Sequence, residues 1–185
     1  NVAIITAVDA DHLDIYGTAE EVENAFVQFS QRIKEGGCLI LKHGLHIHQR
    51  FTTPDLCTYS VSDDNANIHI NNLKVINGSY HFDVINNYWT INDVELNMGG
   101  LHNIENALAA IGVAKYLRID DDKIKAALKN FRGVKRRFEY IIKDDAHVLI
   151  DDYAHHPDEL KALITGVRSI YADKKMTLRS EEHTS

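Results

Sequence analysis

The stretch IDDYAHHPDEL, Ile150 to Leu160, gathers two acids, a tyrosine and two adjacent histidines behind an apolar run and ahead of a proline. An earlier stretch, Asp9-Ala10-Asp11-His12-Leu13-Asp14, has the same character. Each follows a run that reads as a buried strand. Open α/β sheets bind their ligands at the carboxyl ends of such strands. Histidine beside carboxylates can hold a divalent metal or position a phosphate, although magnesium favours oxygen ligands. The plainer alternative is helix caps and solvated loop residues. Two such loops in one chain favour function.

Two further groups could do chemistry. Lys135-Arg136-Arg137 could clamp phosphate oxygens through forked guanidinium groups. Taken alone, a short basic run is more often a solvated hinge. Asn103 and Asn106 fall on one face of a helix, with His102 beside them. Paired amides supply donor and acceptor together and can read a purine edge. Ordinary capping is the competing account. The remaining histidines (His43, His46, His48, His69, His81 and His147) read as surface residues, with His46 and His48 alternating as in a strand. No GxxxxGK[ST] or GxGxxG pattern occurs.

The elements that must position these groups follow from periodicity. Val2–Val8 is a buried parallel strand. Thr18 and Glu21 form a capping box for a helix through Val22, Ala25, Phe26, Phe29 and Ile33, which Gly36 and Gly37 end. Cys38–Leu41 completes a βαβ unit. Residues 47–98 alternate and carry the turn signal Asn77-Gly78, so they read as an antiparallel patch extending the sheet. Gly99–Leu117 is a helix with small residues on one face. Ile119–Phe131 is a second, with Asp120 as N-cap. After the basic connector come strands at 140–142 and 148–150 around an Asp144-Asp145 turn. A helix opens at Pro157, and a strand is expected over 175–178. The fold class is α/β.

The chain has 185 residues, 44% of them hydrophobic, and a formal net charge of -7, so it carries no basic footprint for nucleic acid. No run is long enough to span a membrane. Cys38 and Cys57 have no metal-type spacing and read as thiols in a reducing compartment. Both ends read as cut. The closing RSEEHTS, 179–185, resembles a translated sequencing adapter and is expected to be non-native.

DADHLD after a strand, then GGLHNIENALAAIGVA, GVKRRFE and DDYAHHPDEL, in that order, resemble the Mur ligase family over essentially all of residues 1–178. The resemblance implies the later part of the central ATP-binding domain over 1–132, a parallel sheet with an antiparallel extension. Over 133–178 it implies the start of a Rossmann-like carboxy-terminal domain. The sugar-nucleotide domain, the phosphate loop and a metal-sharing glutamate of the family would lie outside this chain. The resemblance is nearest to the branch that joins L-alanine to UDP-N-acetylmuramate with ATP and Mg²⁺, in the cytoplasm.

It assigns His12 to the metal, and His102, Asn103 and Asn106 to adenine. Arg137 goes to the ATP phosphates and Asp152 to the ribose. Tyr153, His155 and His156 go to the acyl phosphate and the incoming amine. Several family members carry a carbamoylated lysine on the helix after the first loop. Here that helix reads Phe26-Val27-Gln28-Phe29. By itself this polypeptide is expected to lack ligase activity. A branch recycling a tripeptide onto the same sugar nucleotide, a non-catalytic nucleotide-binding or interaction module, and last a metal-dependent hydrolase are the alternatives.

Overall fold

Alternation within the apolar runs decides the layering. The computed structural model describes residues 1–9, 13–53, 55–155 and 157–179. Strands β1 (Val2–Ile5) and β2 (Cys38–Lys42) pair in parallel, with Val2 opposite Cys38 and Ile5 opposite Leu41. Ala3, Ile5, Leu39 and Leu41 face one side and pack with Phe26 and Val27 of helix α2 (Ala19–Ser30), which follows the single turn α1 (Leu13–Tyr16). Ile40 faces the other side and joins the larger core. Thr18 caps α2 by accepting from the Glu21 amide at 3.3 Å.

Strand β3 (Leu56–Ser60) also pairs in parallel with β2, and β4 (Ile68–Ile76) pairs briefly in parallel with β3. Antiparallel pairing starts only with β5 (Ser79–Asn86) and β6 (Trp89–Leu96). The six strands lie in chain order. Asn77 and Gly78 make the expected two-residue turn, both with positive φ (52° and 76°). Helix α3 (Leu101–Tyr116) lies on the Ile40 face. A side chain at Gly112 would come within 3.1 Å of Ile40 and Ile68, so a small residue there lets helix and sheet touch. Helix α4 (Asp121–Asn130) follows.

The second part is a hairpin, β7 (Glu139–Lys143) and β8 (Val148–Asp151), followed by α5 (Pro157–Ile170). The Asp144 carboxylate closes the hairpin turn, accepting from the amides of Ala146 (2.9 Å) and His147 (2.6 Å). The two parts meet at Gly99 and Gly100. Cβ at Gly99 would fall 2.0 Å from the Phe138 ring, and Cβ at Gly166 would fall 3.0 Å from the Gly100 Cα. Phe138 is 2% exposed. Above it the Tyr80 hydroxyl accepts from the Gly100 amide and meets Ser169 Oγ, both at 3.3 Å.

Several expectations need correction. The first strand stops at Ile5 instead of Val8, because β2 ends one residue after its partner and turns away. Val8 is nevertheless buried. Helix α2 stops at Ser30, whose hydroxyl donates to the Val27 carbonyl, and the Asn1 side chain captures the Lys34 amide. Ile33 therefore packs from a turn. Leu56–Ser60 is a parallel strand, not part of an antiparallel patch. His46 lies in a turn and His48 in a 3₁₀ turn (His48–Arg50). Asp120 holds the N-cap position without a capping bond; its carboxylate pairs with Lys123. Residues 175–178 form no strand: they line a cleft beside β8 without entering a ladder.

The close approach of Gly99 to the buried Phe138 ring predicts a stability difference. Phe138→Ala should cost about 3–5 kcal/mol in urea unfolding. Tyr88→Ala, at a side chain 93% exposed, should stay within about 0.5 kcal/mol. Equal effects would contradict the packing described.

Candidate functional site at the junction

Six of the sequence-predicted residues come together. His102, Asn103 and Asn106 from α3 face Arg137, Asp152 and Tyr153 across a cleft of about 170 Å³. Gly100 makes this possible. Its φ of 88° turns the chain from β6 sharply into α3, and its bare Cα accepts the His102 ring, which a Cβ would meet at 2.5 Å. Asn103 is tied down, its side-chain amide donating to the Gly99 carbonyl at 2.5 Å. Among the described residues Asn106 makes no side-chain hydrogen bond and is exposed towards the cleft.

The opposite wall is a tight turn. Arg137 N–H donates to the Val134 carbonyl at 3.1 Å. Arg136 and Phe138 both hold positive φ (56° and 51°), conformations uncommon for such side chains. Surrounding bonds over-determine them. Arg136 N–H donates to the Glu139 carboxylate (2.9 Å), and its carbonyl accepts from Tyr153 N–H (2.7 Å). Asp152 is the centre of this wall: one carboxylate oxygen accepts from Phe138 N–H (2.7 Å), the other from Ala154 N–H (2.8 Å). Each oxygen keeps a further lone pair, so a ribose contact and this structural duty are compatible.

Charge in the cleft is mixed. Arg136 and Arg137 line it together with the acids Asp152 and Glu159 and with His102. Protein crowding the His102 ring strips it of water and holds its pKa below the ordinary 6.5; Asp152 and Glu105 pull it back up, and Arg137 pushes it further down. Its surroundings thus disfavour the charged imidazolium. An imidazole, two amides, an aromatic side chain and two arginines suit a ligand with an aromatic donor–acceptor edge at one end and anionic groups at the other.

Not every predicted residue belongs. His155 is exposed and does not line the cleft. Its ring sits edge-on to Tyr153 at 5.2 Å, its Nδ1 lies 3.0 Å from the Tyr153 carbonyl, and its amide donates to Glu159. His12 and His156 lie outside the described residues. Among the described residues no three His, Cys, Asp or Glu side chains gather into a metal-holding group. His43 and His81 pair with Asp63 (3.2 Å) and Asp93 (3.3 Å), away from the cleft. Sequence reasoning did not single out Glu159, Ala162 and Leu163, which also line it; their helical spacing after Pro157 was the available signal. A larger cleft of about 380 Å³ beyond β8, lined by Leu149, Leu163, Val167 and Met176 among others, gathers none of the predicted site residues and shares Leu163 with the first.

The electrostatics make a directional prediction. In an NMR titration His102 should protonate below 6.5. Arg137→Ala should raise that midpoint, because a nearby positive charge is removed. A midpoint that falls in the variant would contradict the geometry.

The geometry has counterparts. A family model described as the Mur ligase middle domain matches residues 1–114, and one described as the Mur ligase glutamate ligase domain matches 136–179. The UDP-N-acetylmuramate–L-alanine ligase of Christiangramia forsetii is 40% identical over 184 residues, covering 99% of this chain and 39% of that protein. The one from Phocaeicola vulgatus is 37% identical over 182 residues, covering 98% and 40%. The chain thus spans about two fifths of the length of the curated relatives it matches. Among solved structures, the UDP-N-acetylmuramate-alanine ligase MurC of Thermotoga maritima superposes with a TM-score of 0.79 at 27% identity, over 95% of this chain and 40% of that one. MurF of Acinetobacter baumannii, at 20% identity and TM-score 0.74, shares the fold. Among the described residues no helix is long and apolar enough to cross a membrane. With sequence, fold and motif order in agreement, the chain belongs to the Mur ligase family.

Proposed function

We propose that this chain supplies the nucleotide-holding part of a longer, cytoplasmic, ATP-dependent ligase that joins L-alanine to UDP-N-acetylmuramate in peptidoglycan precursor synthesis. The observation that carries the reading is the single cleft uniting the α3 amides with Arg136, Arg137 and Asp152. The names of the relatives at 37% and 40% identity supply the substrates. In this reading residues 1–132 belong to a central ATP-binding domain and 133–178 open a carboxy-terminal one.

Each residue then has a task. Asn106, which has no side-chain hydrogen bond among the described residues, and Asn103, held by Gly99, present donor and acceptor to the adenine edge beside His102. Arg137 and Arg136 neutralise phosphate oxygens from the second wall. Asp152 orients that wall and accepts from the ribose. ATP transfers its terminal phosphoryl group to the muramate carboxylate, releasing ADP and leaving an acyl phosphate. The alanine amine attacks the acyl carbon, and the tetrahedral intermediate expels phosphate and leaves the amide. Holding both reactants in place supplies much of such a rate enhancement. Tyr153, His155 and His156 are the groups proposed to face the acyl phosphate and amine. His12 and its neighbouring acids are the segment proposed for Mg²⁺, which would supply charge neutralisation.

Phosphate release by the full-length ligase, with ATP, Mg²⁺ and UDP-N-acetylmuramate, should depend on L-alanine. Release that depends on the recycled tripeptide instead moves the assignment to the recycling branch. No release with either acceptor sinks the ligase reading and leaves a non-catalytic nucleotide-binding module. In the same assay Asn106→Ala should raise the KM for ATP about tenfold, the worth of one lost hydrogen bond to a ligand edge. An unchanged KM would remove Asn106 from the site.

A further inference from the structure

Helix α3 carries the adenine-facing stripe, and its roll about its own axis decides where the stripe points. Successive residues advance about 100° around a helix. Taking Glu105 as the origin, His102, Asn106 and Asn103 lie at about 60°, 100° and 160°, one contiguous stripe. Glu105 and Gly112 are seven residues apart and share the face turned to the sheet. Gly112 meets Ile40 and Ile68 there. Glu105 meets the sheet differently: its carboxylate accepts from Lys42 Nζ at 2.8 Å, at the last residue of β2. The side chains are 36% and 24% exposed. The Glu105 charge reaches both walls of its surroundings, helping to raise the Tyr59 hydroxyl pKa, which burial pushes to about 12, and pulling the His102 pKa upward.

We infer that the Lys42–Glu105 ion pair is a positioning device for the nucleotide site: it fixes the roll of α3 and thereby aims His102, Asn103 and Asn106. This rests on the reading of the cleft given above. Ile104, Leu108 and Ile111 bury the apolar side of α3 in the core and limit its roll coarsely, since apolar contacts carry no direction, and Gly112 presents no side chain at all. The ion pair, two turns nearer the helix start, is the directional anchor. A side-chain tip roughly 7 Å from the helix axis moves about 2 Å for a 20° roll, enough to lose an aimed hydrogen bond. Neither residue touches the cleft, so neither is catalytic.

The test uses the full-length ligase and this chain in parallel. In the ligase, Lys42→Met should raise the KM for ATP about tenfold while kcat changes less than about threefold, and Lys42→Arg should restore the wild-type KM. The paired exchange Lys42→Glu with Glu105→Lys should recover most of the loss. In this chain, the side-chain amide resonances of Asn103 and Asn106 should shift in Lys42→Met and return in Lys42→Arg. An ATP KM within twofold of wild type in Lys42→Met, with unmoved amide resonances, overturns the inference. Shifted amides in a ligase that shows no ATP dependence at all would uphold the positioning role and remove the nucleotide reading instead.

Discussion

The Phe138 ring fills the volume that a side chain at position 99 would need, and most of the molecule's functional geometry hangs on that contact. Two glycines in succession let the end of β6 lie flat against Phe138 and against Gly166 of α5. No other residue type allows the two parts to approach so closely. The approach brings the first turn of α3 opposite the Val134–Arg137 turn, and a cleft results. Tyr80 closes the contact from the sheet side, its buried hydroxyl bridging the Gly100 amide and Ser169.

Asp152 does for the second wall what the glycines do for the first. Its carboxylate takes two backbone amides, one on each side of the junction turn, and the Tyr153 amide adds a third tie to Arg136. Two residues with positive φ are held in place by these bonds. Strained backbone at an over-determined turn is a common property of sites that must present side chains at fixed angles. The consequence is that Arg136 and Arg137, flexible in isolation, leave a rigid turn towards one cleft.

What the sequence made legible was local chemistry. The Asn77-Gly78 turn, the Thr18 cap, the hairpin around Asp144 and the helix at Pro157 each depend on residues within a few positions of one another. Parallel pairing of Leu56–Ser60 was not legible, because its partner β2 lies a long loop away and alternation alone does not encode strand direction. The end of β1 was missed for a similar reason: Thr6–Val8 is apolar enough for a strand, but the neighbour that would pair with it has already turned. At the site, the amide stripe of α3 and the acidic loop before Pro157 could be singled out, and the structure brings most of them together. The dual backbone role of Asp152, the Gly99–Phe138 contact and the Lys42–Glu105 pair could not, since each joins residues distant in sequence. His12 and His156 lie outside the described residues, so their places stand on resemblance.

The most direct measurement is an NMR map of ligand-induced shifts on this chain with a non-hydrolysable ATP analogue. If the junction cleft holds nucleotide, the perturbed resonances should be those of His102, Asn103, Asn106, Arg137 and Tyr153, with the residues beyond β8 such as Leu149 and Met176 undisturbed. Perturbation confined to the cleft beyond β8, with the α3 stripe silent, would contradict the account.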